Sequence, residues 1–171
     1  MIHAIRPVRH RVIDSPIGPL TLVADSSGAL TRILTDGQRH APPASALGPR
    51  DDELAPEAVD QLADYFAGRR MDFQLRTAPR GTAFQHRVWA AIAAVPAGQT
   101  RSYGQVAHDL GAPGSARAVG AATGRNPLSI VVPCHRLVSS AGALTGYAGG
   151  LDRKRWLLAH EQGLGSESPR A

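Results

Sequence analysis

The sequence predicts an α+β protein of two lobes: a small antiparallel sheet with a helix, then a helical lobe containing a helix-turn-helix. Three observations carry this expectation. Over the first 36 residues, β-branched side chains alternate between turns rich in Gly, Pro and Ser. From residue 56 onward, apolar residues recur at helical spacing. Near residues 77–81, the charge balance and the strand-or-helix character change together. A chain of 171 residues suits two small lobes sharing a core. The expected division is 1–79 for the first lobe, 80–163 for the second, and 164–171 as a frayed polar tail.

The elements follow in order. Residues 9–14, 20–24 and 30–35 read as three strands. They are separated by Ser15-Pro-Ile-Gly18 and Asp25-Ser-Ser-Gly28, so they form a meander. Residues 37–52 are a polar loop rich in Pro and Ala. Pro56 opens a helix with Ala58, Val59, Leu62, Ala63, Tyr65 and Phe66 on its apolar side, and Gly68 stops it. Residues 71–75 are expected as a fourth strand. Thr82 is a good N-cap for the next helix, whose apolar face is Phe84, Val88, Trp89, Ile92 and Val95. Residues 152–162 form the last helix, with Trp156, Leu157 and Leu158 toward the core.

Composition narrows the function. The net charge is +5, and residues 81–160 carry eight basic residues against only Asp109 and Asp152. The first 80 residues are neutral. A basic module of this kind fits a polyanion binder or a merely solvated surface. The single cysteine excludes an internal disulfide and any zinc site with two thiolates. No apolar run reaches the roughly 18–20 residues a membrane span needs, and no secretory signal is evident at the start. A soluble, cytoplasmic setting is the expectation.

Two short helices are predicted between residues 100 and 125. The first covers about 102–110. The second starts after Ser115 as N-cap, and a turn at 111–114 joins them. The second helix presents Arg117, Ala118 and Gly120, with Arg125 just beyond. It lacks the Asn and Gln that read base edges. Small residues and one long side chain fit close, sequence-tolerant approach to a groove. The same geometry also occurs without DNA binding.

The cysteine sits in Ile130-Val-Val-Pro-Cys-His-Arg136. An apolar strand over 128–132, stiffened by Pro133, is expected to deliver Cys134 at its end. His135 could take the thiol proton, Arg136 adds positive potential, and Glu161 is the best carboxylate to orient the imidazole. The alternative is a small buried hydrophobe with no chemistry.

The assembled pattern resembles the O6-alkylguanine-DNA alkyltransferases over roughly residues 9–162. The matching stretches are Gly81-Thr-x-Phe84-Gln85-x-x-Val88-Trp89, Thr100-x-Ser102-Tyr103-Gly104 and Ala116-Arg117-Ala118-Val119-Gly120. They continue with Asn126-Pro127, Val132-Pro133-Cys134-His135-Arg136, Gly146-Tyr147-x-Gly149-Gly150 and Lys154-x-x-Leu157-Leu158-x-x-Glu161. The resemblance implies a ribonuclease H-like first lobe and a winged helix-turn-helix second lobe. It implies irreversible, single-use transfer of an alkyl group from O6 of guanine, or less efficiently O4 of thymine, to Cys134.

By the same resemblance, His135 takes the thiol proton through a water and Glu161 orients it. Asn126 holds the active-site turn. Tyr103 donates to guanine N3, with Lys154 assisting in the same way. Arg117 fills the stack vacated by a flipped nucleotide. Ser102, Tyr103, Ala118, Gly120, Arg125 and Arg136 would meet DNA. Val132, Pro133, Tyr147, Ala148 and Gly149 would wall the pocket. The implied partner is double-stranded DNA with alkylated bases, met through the minor groove with little sequence specificity. A monomer in solution is implied, with room for cooperative assembly on DNA. No cofactor, metal or membrane is expected.

Two other functions fit parts of the sequence. A pure DNA-binding module explains the basic half but leaves Cys134, His135 and Glu161 idle. A cysteine hydrolase explains those three, leaves the basic half idle, and predicts repeated turnover.

Overall fold

A computed structural model describes residues 6–163; the expected tail at 164–171 lies outside the described residues. The predicted meander is present as β1 (Val8–Ile13), β2 (Leu20–Asp25) and β3 (Leu30–Thr35), antiparallel in that order. Ile13 pairs with Leu20 and Leu20 with Thr35, and the ladder slips once between Val23 and Ala24. Helix α1 (Pro56–Phe66) starts with Pro at its first position. It ends as expected at Gly68, whose φ of 77° closes the turn by donating to Tyr65 O.

The fourth strand expected at 71–75 is absent. Gln61 of α1 supplies the reason: its side-chain amide accepts from Gln74 N and donates to Gln74 O. With its polar groups already satisfied, this stretch needs no ladder partner. Only Thr77 reaches the sheet, in a single bridge to Leu30.

Helix α2 (Ala83–Ala93) begins at a reciprocal Thr82–Gln85 capping box. Gly81 is required just before it, because a Cβ there would lie 2.4 Å from the Trp89 ring. The two-residue strand β4 (Arg101–Ser102) runs directly into α3 (Tyr103–Asp109), again with a capping box, Ser102 to Gln105. Helix α4 (Ala116–Gly124) completes the helix-turn-helix. Ser115 precedes it but makes no side-chain cap, a departure from the sequence expectation. Strand β5 (Leu137–Val138) pairs parallel with β4, and α5 (Leu151–Glu161) closes the fold. Among the described residues, no helix is long and apolar enough to cross a membrane.

Two cores form. Val88, Trp89, Ile92, Val106, Val119, Ala122 and Leu137 pack α2, α3 and α4 together, with Cys134 among them. The other core joins the sheet and α1 to residues distant in sequence. Leu22, Ile33, Leu62 and Tyr65 pack with Leu128, Ile130, Trp156 and Leu157. The last helix therefore serves the first lobe's core as well as the site. Backbone bonds reinforce this junction, from Ile33 N to Pro127 O and from Ser129 N to Ile33 O.

Candidate active site

Cys134 begins a 3-10 turn, Cys134–Arg136, against the helical core. The segment leading to it is not the strand expected at 128–132. It is a tight reversal: Val132 N donates to Leu128 O, and Ile130 adopts φ 73°, in the left-handed region. Asn126 ties both ends, since its Nδ2 donates to Val132 O at 2.8 Å and its Oδ1 accepts from Leu128 N at 2.9 Å. A residue that bonds to both ends stabilises a strained turn better than a ladder on one side could.

Behind the thiol lies a buried polar relay. His135 Nε2 donates to Glu161 Oε1 at 2.7 Å, and neither side chain is exposed to solvent. An ionised carboxylate only accepts, so the ring proton sits on Nε2 and Nδ1 carries the lone pair. Nδ1 is buried without a hydrogen-bond partner among the described residues. Glu161 also accepts a forked pair from Arg136, Nε to Oε2 at 2.8 Å and Nη2 to Oε1 at 2.7 Å. The Tyr65 hydroxyl of α1 adds another bond, 2.8 Å to Oε1.

These contacts set the protonation states. Burial raises the Cys134 thiol, only partly offset by the Asn126 side chain and the Lys154 charge, so the resting group is a thiol. Burial likewise lowers His135, against the pull of Glu161. Burial alone would raise Glu161, but the hydrogen bonds and charges of His135 and Arg136 outweigh it and hold the carboxyl at about 2. The consequence for acid stability has a definite sign. A carboxyl depressed from 4.5 to about 2 stabilises the fold fully above 4.5 and loses that contribution as pH falls through 2. A buried His held below its ordinary value weakens the fold in the same direction once the unfolded chain begins to protonate. We expect urea midpoints to fall steadily from pH 7 to pH 3 in a monotonic acid limb. A midpoint flat across that range would contradict the relay.

Two residues have roles other than those expected. Arg136 does not face DNA: it is 5% exposed, and its guanidinium is spent on Glu161 and on Val95 O. Lys154 does not face a base. It is fully buried, and its three donors go to the carbonyls of Leu137, Thr145 and Gly146. An ammonium has only three donors, so Lys154 is an anchor for the loop at 145–146.

A cavity of about 330 Å³ opens onto Cys134, at the small end of ligand-sized pockets. Tyr103, Gly120, Thr123, Arg125, Tyr147 and Ala148 are among the residues that line it. Tyr103 donates its hydroxyl to Thr145 O at 3.1 Å. Three residues expected in the wall do not line the cavity. Val132 and Pro133 belong to the turn beneath it. Gly149 packs against the sheet, where a Cβ would meet Thr35 Oγ1 at 2.9 Å. Arg117 and Ala118 are exposed on α4, Gly120 is half-buried, and Ser102 serves as the cap of α3.

The sequence reading missed Tyr65, Arg39 and His40. Tyr65 lies on an apolar helical stripe and reads as core. Arg39 and His40 lie in the loop of the first lobe yet line the cavity, and Arg39 N is tied to Ala148 O at 2.9 Å. No local pattern marks such a long-range contact.

Fold and site together describe a DNA-processing class of protein, with a ribonuclease-like lobe beside a helix-turn-helix that holds a buried thiol. Family models agree: the 6-O-methylguanine DNA methyltransferase ribonuclease-like domain matches residues 8–79 and its DNA binding domain residues 83–163. The methylated-DNA–protein-cysteine methyltransferase of Mycobacterium bovis is 50% identical over 155 residues, 91% of this chain and 93% of that protein. That of Salmonella typhimurium is 47% identical, covering 87% of this chain and 92% of its own length. The crystal structure of Mycobacterium tuberculosis OGT in complex with DNA superposes with a TM-score of 0.85 at 48% identity, covering 91% of this chain and 94% of that one. The chain belongs to the methylated-DNA–protein-cysteine methyltransferase family.

Proposed function

We propose that the chain is a methylated-DNA–[protein]-cysteine S-methyltransferase that repairs DNA by direct reversal. It moves an alkyl group from O6 of guanine, less efficiently from O4 of thymine, onto its own Cys134. The observation that carries this reading is the cavity opening onto Cys134 between the exposed helix α4 and the 146–148 loop. A thiol at its floor, 5% exposed, cannot reach a base inside a stack. The nucleotide must be extruded into the cavity, at a cost of a few kcal/mol.

The chemistry follows from the relay. The thiol proton passes through a water to His135 Nδ1, and Glu161 stabilises the cationic ring. The sulfur bonds to the alkyl carbon as the carbon–O6 bond breaks, and its electron pair stays with the base. The Tyr103 hydroxyl turns from Thr145 O to donate to N3 and relieves the developing charge, and the proton held by His135 then returns through water to the base. The net change replaces the thiol hydrogen by the alkyl group and restores guanine. A thioether has no comparable leaving route, so each molecule acts once. Asn126, Arg136, Lys154 and Tyr65 are positioning residues.

Double-stranded DNA is the partner. Helix α4 enters the minor groove with its small residues, and exposed Arg117 occupies the space the extruded nucleotide leaves. Most contacts go to phosphate, so sequence matters little, and one monomer acts per lesion. Arg117→Ala is expected to slow transfer from duplex by on the order of 10-fold to 100-fold, since extrusion costs a few kcal/mol. Its reaction with free O6-benzylguanine should be unchanged. Equal slowing on both substrates would remove this role.

Intact-protein mass spectrometry tests the core of the reading. After mixing with a duplex holding one O6-methylguanine, the protein should gain the mass of one methyl in place of hydrogen, on Cys134, and stop at one equivalent. A bound duplex with no adduct would reduce the protein to a lesion binder. Product beyond one equivalent would indicate a hydrolase.

A further inference from the structure

The cavity at Cys134 does not end at its own walls. Arg39, His40, Gly124 and Arg125 line it and also line a second cavity beside it. That second cavity shares Arg32, Arg80, Arg125 and Pro127 with a third. The three are neighbouring cavities with shared walls, and together they make a groove that runs from the thiol along the seam between β3 and the end of α4. Among the described residues, no acidic side chain lines any part of it.

Four of the five arginines lining this groove are uncompensated; the fifth, Arg6, interacts with Asp25. Six other arginines pair with carboxylates, among them Arg9 with Asp51, Arg50 with Asp52 and Arg69 with Asp64. Arg32, Arg39, Arg80 and Arg125 make no ion pair or side-chain hydrogen bond among the described residues. Four like charges along one seam repel each other and persist only at a cost that a bound anion would offset. Three of the four, Arg32, Arg39 and Arg80, come from the first 80 residues, whose net charge is zero. The fold sorts that neutral segment, sending these three to the groove while Arg9, Arg50 and Arg69 pair with Asp51, Asp52 and Asp64.

We propose that this groove binds the phosphodiester backbone of the lesion-bearing strand next to the extruded nucleotide, making the first lobe part of the DNA-binding surface. The inference rests on the alkyl-transfer reading. Its continuity with the Cys134 cavity selects the lesion strand over the complementary one. Planar guanidinium forks suit phosphate oxygens, and contacts to phosphate carry no sequence preference.

The test uses the full chain and a duplex short enough for one protein. Arg32→Ala/Arg80→Ala is compared with Arg50→Ala/Arg69→Ala, which removes the same charge from outside the groove. Removing two phosphate contacts should lower the slope of log affinity against log salt by about 1.4 to 1.8. We expect that drop, with affinity reduced by on the order of 10-fold to 100-fold near 0.15 M salt, only for the groove variant. Arg32→Lys/Arg80→Lys should recover most of the slope. Neutral methylphosphonates beside the lesion should reproduce the loss when placed in the lesion strand, and not in its complement. Transfer from free O6-benzylguanine to Cys134 should stay unchanged throughout, showing an intact fold and site. Equal slopes for the two alanine variants, or a loss tied to the complementary strand, would overturn the groove assignment. Failure of wild type to take the benzyl group would instead overturn the transfer reading.

Discussion

Cys134→Ser is expected to abolish alkyl transfer while leaving duplex binding in place. A serine hydroxyl at this point is a far weaker nucleophile than a thiol whose proton the relay can accept. Removing a catalytic nucleophile costs on the order of 10⁶-fold, which places transfer below detection. Binding should survive because the groups assigned to DNA contact, Arg117 on α4 and the groove arginines, are all retained in the variant. Cys134 does pack among Val88, Val119 and Leu137, so the new hydroxyl should cost about 1–3 kcal/mol of stability. Adduct mass on one aliquot and duplex affinity on another read both outcomes. A serine variant that still became methylated would move the acceptor elsewhere. One that lost DNA affinity in proportion would make the cysteine a packing residue.

Glu161→Ala is expected to have the largest effect on stability of any single change. Among the described residues, the carboxylate is the only one paired with buried Arg136, and it also receives His135 and the Tyr65 hydroxyl. Removing one partner of a buried pair leaves the other charge uncompensated and costs about 3–5 kcal/mol. That is a large share of the 5–15 kcal/mol typical of a domain. Glu161→Gln separates folding from chemistry. It keeps the shape and one acceptor oxygen, so it should fold, but it cannot stabilise the cationic imidazole. Transfer from O6-benzylguanine should then slow by on the order of 10²-fold. Urea midpoints for the alanine variant and rates for the glutamine variant check the two halves. A glutamine variant at the wild-type rate would make Glu161 a structural anchor for Arg136 alone.

Much of this site was legible from local pattern. Cys134 and His135 are adjacent, and Glu161 ends a helix whose apolar face is plain in the sequence. Thr82 announces itself as an N-cap, because a cap depends on groups only a few residues away. Other parts were misread for identifiable reasons. Residues 71–75 alternate like a strand, but strand pairing is a property of two segments, and Gln61 took the backbone groups first. Residues 128–132 are mostly apolar, with β-branched Ile130, Val131 and Val132, yet Asn126 bends them into a turn. Arg136 and Lys154 carry the charges that usually face solvent. Their burial depends on carbonyls and a carboxylate from distant segments, which no local window contains.

The sequence by itself determined the meander, the helix-turn-helix, the lone thiol with its histidine, and the basic second half. Each depends on periodicity, capping, adjacency or composition, which act over a few residues. Only the tertiary structure decided that Tyr65 of the first lobe bonds to Glu161, and that Arg136 and Lys154 turn inward. It also decided that arginines of an electrically neutral segment line a groove leading to Cys134. Those outcomes belong to pairs of groups up to 96 residues apart. Burial and charge compensation are settled by what packs alongside a side chain, not by what precedes it in the chain.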